Sequence, residues 1–299
     1  MTHTPLERGL WVVLATPFGT DDDVDHGSLR RQVHLAEQVG AAGLVALGVF
    51  GEAASLSSAE HAAVLATVTA ATTLPVVVGL PARTTAVAVE QARGCIGAAT
   101  RPLRGLMVQA HSPRPELLIE HLHAIHDATG ADVVLQDYPV VSGVHVTPAA
   151  LLETVAACPF VIAVKAESTP TAPSVAALTA GTALPVFGGL GGVGLVDELA
   201  CGAAGAMTGF SHPEALRTAL TAYDDGGFAA ARAAWAPWLP LANFEGQVGI
   251  GLALRKAILY RRGVLATRRV RPPAPGVPPL LEPVLAQHLS TLPSTQEVS

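Results

Sequence analysis

The sequence has few charged residues, few aromatic residues and almost no lysine. Of its 299 residues, 14% are charged and 4% are aromatic, whereas 50% are hydrophobic. This balance is typical of a compact chain with a large buried core and argues against intrinsic disorder. The formal net charge is -6, and no basic cluster precedes the C-terminal tail. We therefore expect no nucleic-acid partner.

Cysteine and long apolar runs are also scarce. Cys95, Cys158 and Cys201 are odd in number and lack the spacing of metal ligands, so we expect reduced thiols and no metal site. Residues 1–8 lack the apolar segment of a signal peptide. Glycine, proline or charge interrupts every apolar stretch before it reaches the length of a bilayer. These absences predict a soluble cytoplasmic protein with no membrane partner.

Short apolar runs alternate with helical segments through the first three quarters of the chain. Eight strand–helix units spaced by roughly thirty residues predict a (β/α)8 TIM barrel, which belongs to the α/β class. A doubly wound open sheet is the alternative, but no Gly-x-Gly-x-x-Gly motif follows the first strand. The predicted strands are Leu10–Ala15, Gly43–Leu47, Pro75–Gly79, Gly105–Gln109, Asp132–Gln136, Val161–Lys165, Pro185–Gly188 and Gly205–Thr208.

The helical segments carry recognisable ends. Ser57 and Glu60 have the spacing of a capping box, and Gly40, Gly130 and Gly202 stand where a left-handed residue ends a helix. The predicted helices between strands include Ser28–Val39, Ser58–Ala71, Thr84–Ala98 and Arg114–Thr129.

Beyond Gly226 the strand–helix alternation stops. We therefore predict a barrel over residues 1–226 and C-terminal helices packed on it over residues 227–299. These helices are Phe228–Leu241, Val248–Arg262 and Leu280–Thr291, with a proline-rich turn before the last one. Trp235 and Trp238 are aromatic anchors of the kind that interfaces favour, and they suggest contact with another copy of the chain. The alternative is that their helix covers the flank of the barrel.

Lysine occurs only at Lys165 and Lys256. Lys165 ends the apolar run Phe160–Val164, which predicts a fully buried parallel strand. An unpaired ammonium there loses hydration, which favours a neutral amine able to form a Schiff base. The alternative is a lysine that only meets a carboxylate such as Glu167. Lys256 stands beside an arginine in a charged helical stretch, where a cation is ordinary.

In a barrel of this kind, chemistry is expected at the C-terminal ends of the strands. The glycine cluster after the seventh strand, residues 188–192, is either an anion site or a tight turn. The segments at the other strand ends are Thr16–Phe18, Gly48–Glu52, Gln109–Ser112, Gln136–Pro139 and Lys165–Glu167.

Taken together, these motifs resemble the dihydrodipicolinate synthase/N-acetylneuraminate lyase family of class I, Schiff-base aldolases. The resemblance extends from about residue 8 to residue 265, in order and at the spacing of the family. Its most telling segments are Thr16-Pro17-Phe18, Gly48-Val49-Phe50-Gly51-Glu52, Gln136-Asp137-Tyr138-Pro139, Ala163-Val164-Lys165-Ala166 and Gly202–Thr208.

The resemblance implies a pyruvate-like 2-oxo acid bound covalently to Lys165. It implies that Val49, Phe50 and their backbone amides hold the carboxylate of that acid, with a main-chain contact from Met207. Gly189, in the glycine cluster, is a further predicted substrate-binding residue. The family also implies a homodimer or homotetramer, and the proposed chemistry needs no cofactor.

The sequence departs from the family at the positions that move protons. Two threonines usual in the loop after the second strand are here Val49 and Phe50. The tyrosine that usually begins the strand-five motif is here Gln136, which cannot act as a general acid or base. Tyr138 lies two residues later on the same strand face, and we predict that it is catalytic.

Two further positions differ from the family. The tyrosine usual in the strand-four loop corresponds to His111 or Ser112, and we include His111 among the predicted substrate-binding residues. The arginine that binds the second carboxylate in the synthase branch corresponds to Val141, which argues against a synthase of lysine biosynthesis. Phe50 also makes the pocket narrower and more apolar.

From these features we predict a Schiff-base-forming lyase that cleaves or dehydrates a 2-keto-3-deoxy acid. One alternative is a catalytically reduced relative that binds a 2-oxo acid as a sensor or accessory subunit. The missing tyrosine favours that alternative, whereas the retained Lys165 opposes it. A phosphate-binding barrel that uses the glycine cluster ranks last, since no basic partner lies near it in the sequence.

Overall fold

A computed structural model of the protein describes residues 3–293. Eight parallel strands form a closed barrel in sequence order, with the last strand hydrogen bonded to the first. The predicted TIM barrel is confirmed, and every strand lies within two residues of its predicted bounds. The strands are β1 Gly9–Val13, β2 Gly43–Ala46, β3 Val76–Leu80, β4 Gly105–Gln109, β5 Val133–Asp137, β6 Val161–Ala166, β7 Val186–Gly188 and β8 Gly205–Thr208.

Helices surround the barrel and continue beyond it. The predicted capping box is present, because Ser57 N donates to Glu60 Oε2 and Glu60 N donates to Ser57 Oγ. The helices are α1 His26–Gln38, α2 Ser58–Ala71, α3 Thr85–Ala98, α4 Pro115–Thr129, α5 Pro139–Ser142, α6 Pro148–Ala157, α7 Thr171–Gly181, α8 Leu195–Ala200, α9 Pro213–Trp235, α10 Leu239–Glu245, α11 Gly251–Arg261 and α12 Glu282–Ser290.

The interior of the barrel is packed with side chains. Trp11, Met107, Phe187 and Met207 are buried together in this inner cluster, while aliphatic residues fill the layer between strands and helices. The ring of Trp11 crosses the space beside β2, where a Cβ on Gly43 would lie 2.3 Å from it. Only glycine fits at that position. Side chains therefore fill the interior of the barrel, and open space remains at the C-terminal ends of the strands.

The chain leaves the barrel through α9. The predicted boundary between residues 226 and 227 falls inside this helix, at a kink where Gly227 has a φ of 68°. The predicted helix Phe228–Leu241 is wrong, because the chain turns between α9 and α10. Pro237, which stands between the two helices, lacks the N–H needed to continue α9. The other two predicted C-terminal helices are confirmed as α11 and α12.

The two tryptophans at this turn are buried within the chain. Trp235 is 2% exposed and Trp238 is 7% exposed. Both rings pack against Phe210, with ring centroids 5.4 and 6.5 Å apart. The interpretation of these residues as anchors of an interface is therefore wrong, and the alternative holds: they cover the barrel flank.

Within residues 3–293, no helix is both long enough and apolar enough to cross a membrane. The three cysteines are unpaired, and burial raises the thiol pKa of Cys95 and of Cys158 to about 11.

Candidate active site

Lys165 lies near the end of β6, in register with Gln136 on β5 and Phe187 on β7. Its side chain is buried inside the barrel. Its Nζ lies 3.1 Å from Oε2 of Glu167. The sequence suggested an unpaired ammonium, but the structure gives this lysine the carboxylate partner that was considered as the alternative. Glu167 directly follows the end of β6 and lies two residues after Lys165, so the two side chains lie on the same side of the chain.

Glu167 is held by three partners. Besides Lys165, its Oε2 accepts a hydrogen bond of 2.7 Å from Gln136 Nε2. Its Oε1 accepts one of 3.2 Å from the backbone N–H of Leu190. The carboxylate is thus fixed in orientation with one oxygen next to the amine. Glu167 is predicted from the sequence only as a possible partner of Lys165 and not as a site residue, although its spacing from Lys165 is a usable signal.

The glycine cluster after β7 lies directly against this carboxylate. A Cβ on Gly189 would stand 2.1 Å from Glu167 Oε1, so a larger residue would displace the acid. The N–H of Gly191 donates to Thr208 Oγ1 at 2.8 Å. These amides are therefore engaged within the protein, and a negative charge faces the loop. This arrangement disfavours the phosphate-binding alternative.

The loop after β2 borders the opposite side of the barrel mouth. Val49 is exposed and lines the mouth. Phe50 packs over the end of β8, where a Cβ on Gly209 would lie 2.4 Å from its ring. Thr16 Oγ1 donates to the carbonyl of Gly51 at 2.6 Å and ties the loop to the segment after β1.

Glu52 braces this loop through Lys256. Glu52 has a left-handed backbone with a φ of 53°, and its carboxylate pairs with Lys256 Nζ and accepts a hydrogen bond of 2.9 Å from Arg271 N. Lys256 also donates to the carbonyl of Arg269 at 2.9 Å. These contacts show that Glu52 braces the loop. The interpretation of Lys256 as an ordinary charged-helix cation is wrong, because its side chain is 0% exposed.

Burial lowers the pKa of Lys256, and the neighbouring Glu52 raises it. We expect Lys256→Met to destabilise the protein by about 3–5 kcal/mol, because it leaves the Glu52 carboxylate buried without its cation. Denaturant unfolding would measure this loss. Arg261→Met is a matched control that removes a cation from the same helix, where the pair with Glu282 is half exposed and worth under about 1 kcal/mol. Equal losses in the two variants would contradict the bracing role.

Two predicted residues of the strand-five segment lie close to Glu167. Gln136 is buried and donates to its carboxylate, as described above. Tyr138 is half buried, and burial and the charge of Glu167 raise the pKa of its phenol while Arg255 lowers it. Between them, Asp137 is fully buried, and burial together with Glu167 raises its pKa to about 6.

The remaining predicted site residues occupy different surroundings. His111 is half buried, with Nδ1 3.1 Å from the carbonyl of Gln109 and its ring edge-on to His121 at 4.4 Å. No described contact joins His111 to Lys165. Met207 is fully buried in the inner cluster of the barrel.

A cavity of about 300 Å³ opens at the mouth of the barrel between the loop after β2 and the ends of β3, β4 and β5, and Val49 and Gln136 are the predicted site residues that line it. Its size suits a small ligand. Among the residues that the structure describes, no group of three His, Cys, Asp or Glu side chains is placed to hold a metal ion. The residues lining the cavity include Gln136, Gln109, Val49, Met107, Arg83 and Leu252.

Several known proteins are similar to this chain in sequence and in architecture. The chain is 29% identical over 291 residues to an L-2-keto-3-deoxyarabonate dehydratase from Azospirillum brasilense, across 93% of this chain and 92% of that protein. It is 30% identical over 141 residues to a 4-hydroxy-tetrahydrodipicolinate synthase from Methanothrix thermoacetophila, across about half of each chain (47% and 48%). The crystal structure of dihydrodipicolinate synthase from Rhodopseudomonas palustris has a TM-score of 0.90 at 29% identity, covering 98% of this chain and 100% of that chain. Residues 7–282 match the dihydrodipicolinate synthetase family, so the chain belongs to that family and is a lyase of the class I aldolase type.

Proposed function

We propose that the protein binds a pyruvate-like 2-oxo acid as an imine on Lys165 and dehydrates a 2-keto-3-deoxy acid. The observation that carries this proposal is the buried contact between Lys165 and Glu167 at the mouth of the barrel. It places an acid–base group beside an amine. The similarity to a keto-deoxy acid dehydratase over nearly the whole chain supports dehydration as the reaction.

The proposed reaction begins when the neutral amine of Lys165 attacks the C2 carbonyl. The resulting carbinolamine loses water to give an iminium, which draws electrons from C3. Removal of a C3 proton gives an enamine. The enamine then expels the C4 hydroxyl, which leaves as water after it receives a proton. Hydrolysis of the remaining imine releases the dehydrated 2-oxo acid and restores the amine.

Glu167 is the residue best placed to move these protons. Its Oε2 lies at hydrogen-bond distance from Nζ, so it is positioned to accept the amine proton and return it to the departing hydroxyl. Gln136 has no titratable proton, and its role here is to orient Glu167. An acid–base group beside Lys165 also favours catalysis over the alternative of a catalytically reduced sensor.

Borohydride trapping with a panel of 2-oxo acids, followed by intact mass measurement, tests the imine. One reduced adduct with pyruvate is the expected result, and no adduct with any acid in the panel would reject the proposal. Analysis of the products from a 2-keto-3-deoxypentonate then separates the two lyase reactions. Dehydration retains all the carbon atoms in one product, whereas retro-aldol cleavage releases pyruvate and an aldehyde.

We expect Tyr138→Phe to slow turnover more than His111→Ala does. The reason is that the charge of Glu167 acts on the Tyr138 phenol and raises its pKa, whereas His111 has no described contact with Lys165. A phenol that takes part in proton transfer is worth roughly 10²–10⁴ in rate. Steady-state kinetics of both variants would measure the difference. Nearly full activity in Tyr138→Phe, with loss of activity in Gln136→Ala, would show that Tyr138 only packs in the mouth.

We also propose that the protein acts in the cytoplasm as a homodimer or homotetramer. Family resemblance supports this assembly, whereas Trp235 and Trp238 give it no support because they are buried within the chain. The proposed partner is the small 2-oxo acid alone, with no nucleic acid or membrane.

A further inference from the structure

Arg255 on α11 has an unusual environment for an arginine. Its side chain is only 13% exposed, and its Nε lies 3.2 Å from Oε2 of the fully buried Glu245. No described residue accepts a hydrogen bond from Nη1 or Nη2 of this guanidinium. Arginine presents its N–H donors in a planar fork that suits oxyanions, so the two Nη groups, which have no described acceptor, are available to an anionic ligand.

This guanidinium lies among three loops at the barrel mouth. Its Cζ is 5.0 Å from the centroid of the Phe50 ring, in the loop after β2. After β7, a Cβ on Gly191 would stand 2.7 Å from its Nη2. After β5, its charge acts on the phenol of Tyr138. Arg255 is therefore adjacent to the proposed site, although it comes from the C-terminal helices.

The position of Arg255 is further out than that of the imine-forming amine. Lys165 is in register with Gln136, and Tyr138 lies two residues beyond Gln136. Tyr138 directly follows the end of β5, and two residues of extended chain span roughly 6–7 Å. A 2-oxo acid whose C2 is bound to Lys165 would thus present its remote end, not its C1 carboxylate, to the level of Tyr138 and Arg255.

Glu245, the ion-pair partner of Arg255, does not exclude a second anion on the guanidinium. Glu245 accepts hydrogen bonds from the backbone N–H and hydroxyl of Ser211. Burial raises the pKa of Glu245 to about 7, against the lowering effect of Arg255. Burial thus favours the protonated form of Glu245, which would leave the charge of Arg255 less fully offset.

We propose that Arg255 binds a carboxylate at the end of the substrate remote from the imine carbon, so that the preferred substrate is a 2-oxo diacid. This inference rests on the proposed imine chemistry and adds a specificity residue to it. The two Nη groups would each donate to one carboxylate oxygen, which is the strongest arrangement open to a guanidinium.

A matched pair of ligands tests the proposal. 2-Oxoglutarate and 2-oxopentanoate have five carbons each and differ in whether the far end is a carboxylate or a methyl group. The concentration that gives half-maximal borohydride adduct should be lower for 2-oxoglutarate in the wild type. In Arg255→Met, this preference should fall by about tenfold or more, because a charge-assisted hydrogen bond is lost. The half-maximal concentration of pyruvate should stay unchanged.

Two further variants separate recognition from folding. The double variant Arg255→Met with Glu245→Gln avoids a buried carboxylate without its cation, and it should show the same loss of preference. Arg83→Met removes a different arginine, which lines the cavity and donates to the carbonyl of Val141, and it should retain the preference.

The proposal is overturned if Arg255→Met keeps the preference, if Arg83→Met is the variant that loses it, or if pyruvate binding weakens as much as 2-oxoglutarate binding. A wild type that forms adducts without any terminal preference also overturns it, while leaving the imine chemistry intact. A wild type that forms no adduct with any of the acids rejects the proposed function itself.

Discussion

Replacement of Lys165 by alanine is expected to abolish both the borohydride-trapped adduct and turnover of the substrate. The proposed reaction passes through a covalent bond to the Nζ atom, and no other described lysine reaches the barrel interior at this position. Removal of a covalent nucleophile lowers turnover by roughly 10⁴–10⁶-fold in well-studied enzymes. Intact mass after reduction with pyruvate measures the adduct, and steady-state kinetics measures the turnover.

Lys165→Arg is the matched control for charge. It keeps a cation opposite Glu167 but supplies no neutral amine, since a guanidinium is not deprotonated in proteins. It should therefore fold and still form no adduct. Lys256 is the only other lysine of the sequence, and it is buried against Glu52. A reduced adduct mapped to Lys256, or one that persists in Lys165→Ala, would contradict the assignment.

The barrel and the place of Lys165 could be predicted because their signals are local. Buried parallel strands are continuous apolar runs, and the ends of helices carry capping residues that can be read within four positions. The turn after α9 was missed although Pro237 is a local signal for it. In the sequence, Trp235 and Trp238 are compatible with an interface and with a buried core. Only their packing against Phe210 in the structure shows that they belong to the core.

The side-chain contacts between distant elements could not be predicted because their partners are far apart in sequence. Gln136 and Glu167 are 31 residues apart and meet through the register of β5 and β6. Glu52 and Lys256 are 204 residues apart. The sequence around a charged helical residue does not show that a distant carboxylate pairs with it. The burial and the partner of Lys256 could therefore be recognised only in the folded structure.

The departures from the family also take on a different meaning in the structure. Phe50 replaces a threonine of the family, and its ring lies between the end of β8 and Arg255. Gln136 replaces a tyrosine, and its amide holds Glu167. Each substitution is thus matched by a charged side chain nearby, which favours an altered active site over a lost one.

Glu167→Gln is expected to slow turnover by roughly 10²–10⁴-fold while retaining the pyruvate adduct. Glutamine can keep the hydrogen bond to Leu190 N and the packing against Gly189, but it cannot carry a proton between Nζ and the departing hydroxyl. Slower formation of a normal adduct, together with a loss of dehydration, is the signature of a missing acid–base group. Time-resolved borohydride trapping and product analysis would measure the two effects separately.

The control for this prediction is Glu198→Gln. Glu198 is also buried, and burial raises its pKa to about 7, but its carboxylate is hydrogen bonded to Thr171 and has no described contact with Lys165. Since this group is already partly protonated near neutral pH, an amide should change turnover little. Equal losses in the two variants would mean that any buried acid here acts through folding alone.

Full turnover in Glu167→Gln would assign proton transfer to another group. Tyr138 would then be the strongest candidate, because its phenol is half buried and the charge of the same carboxylate acts on it.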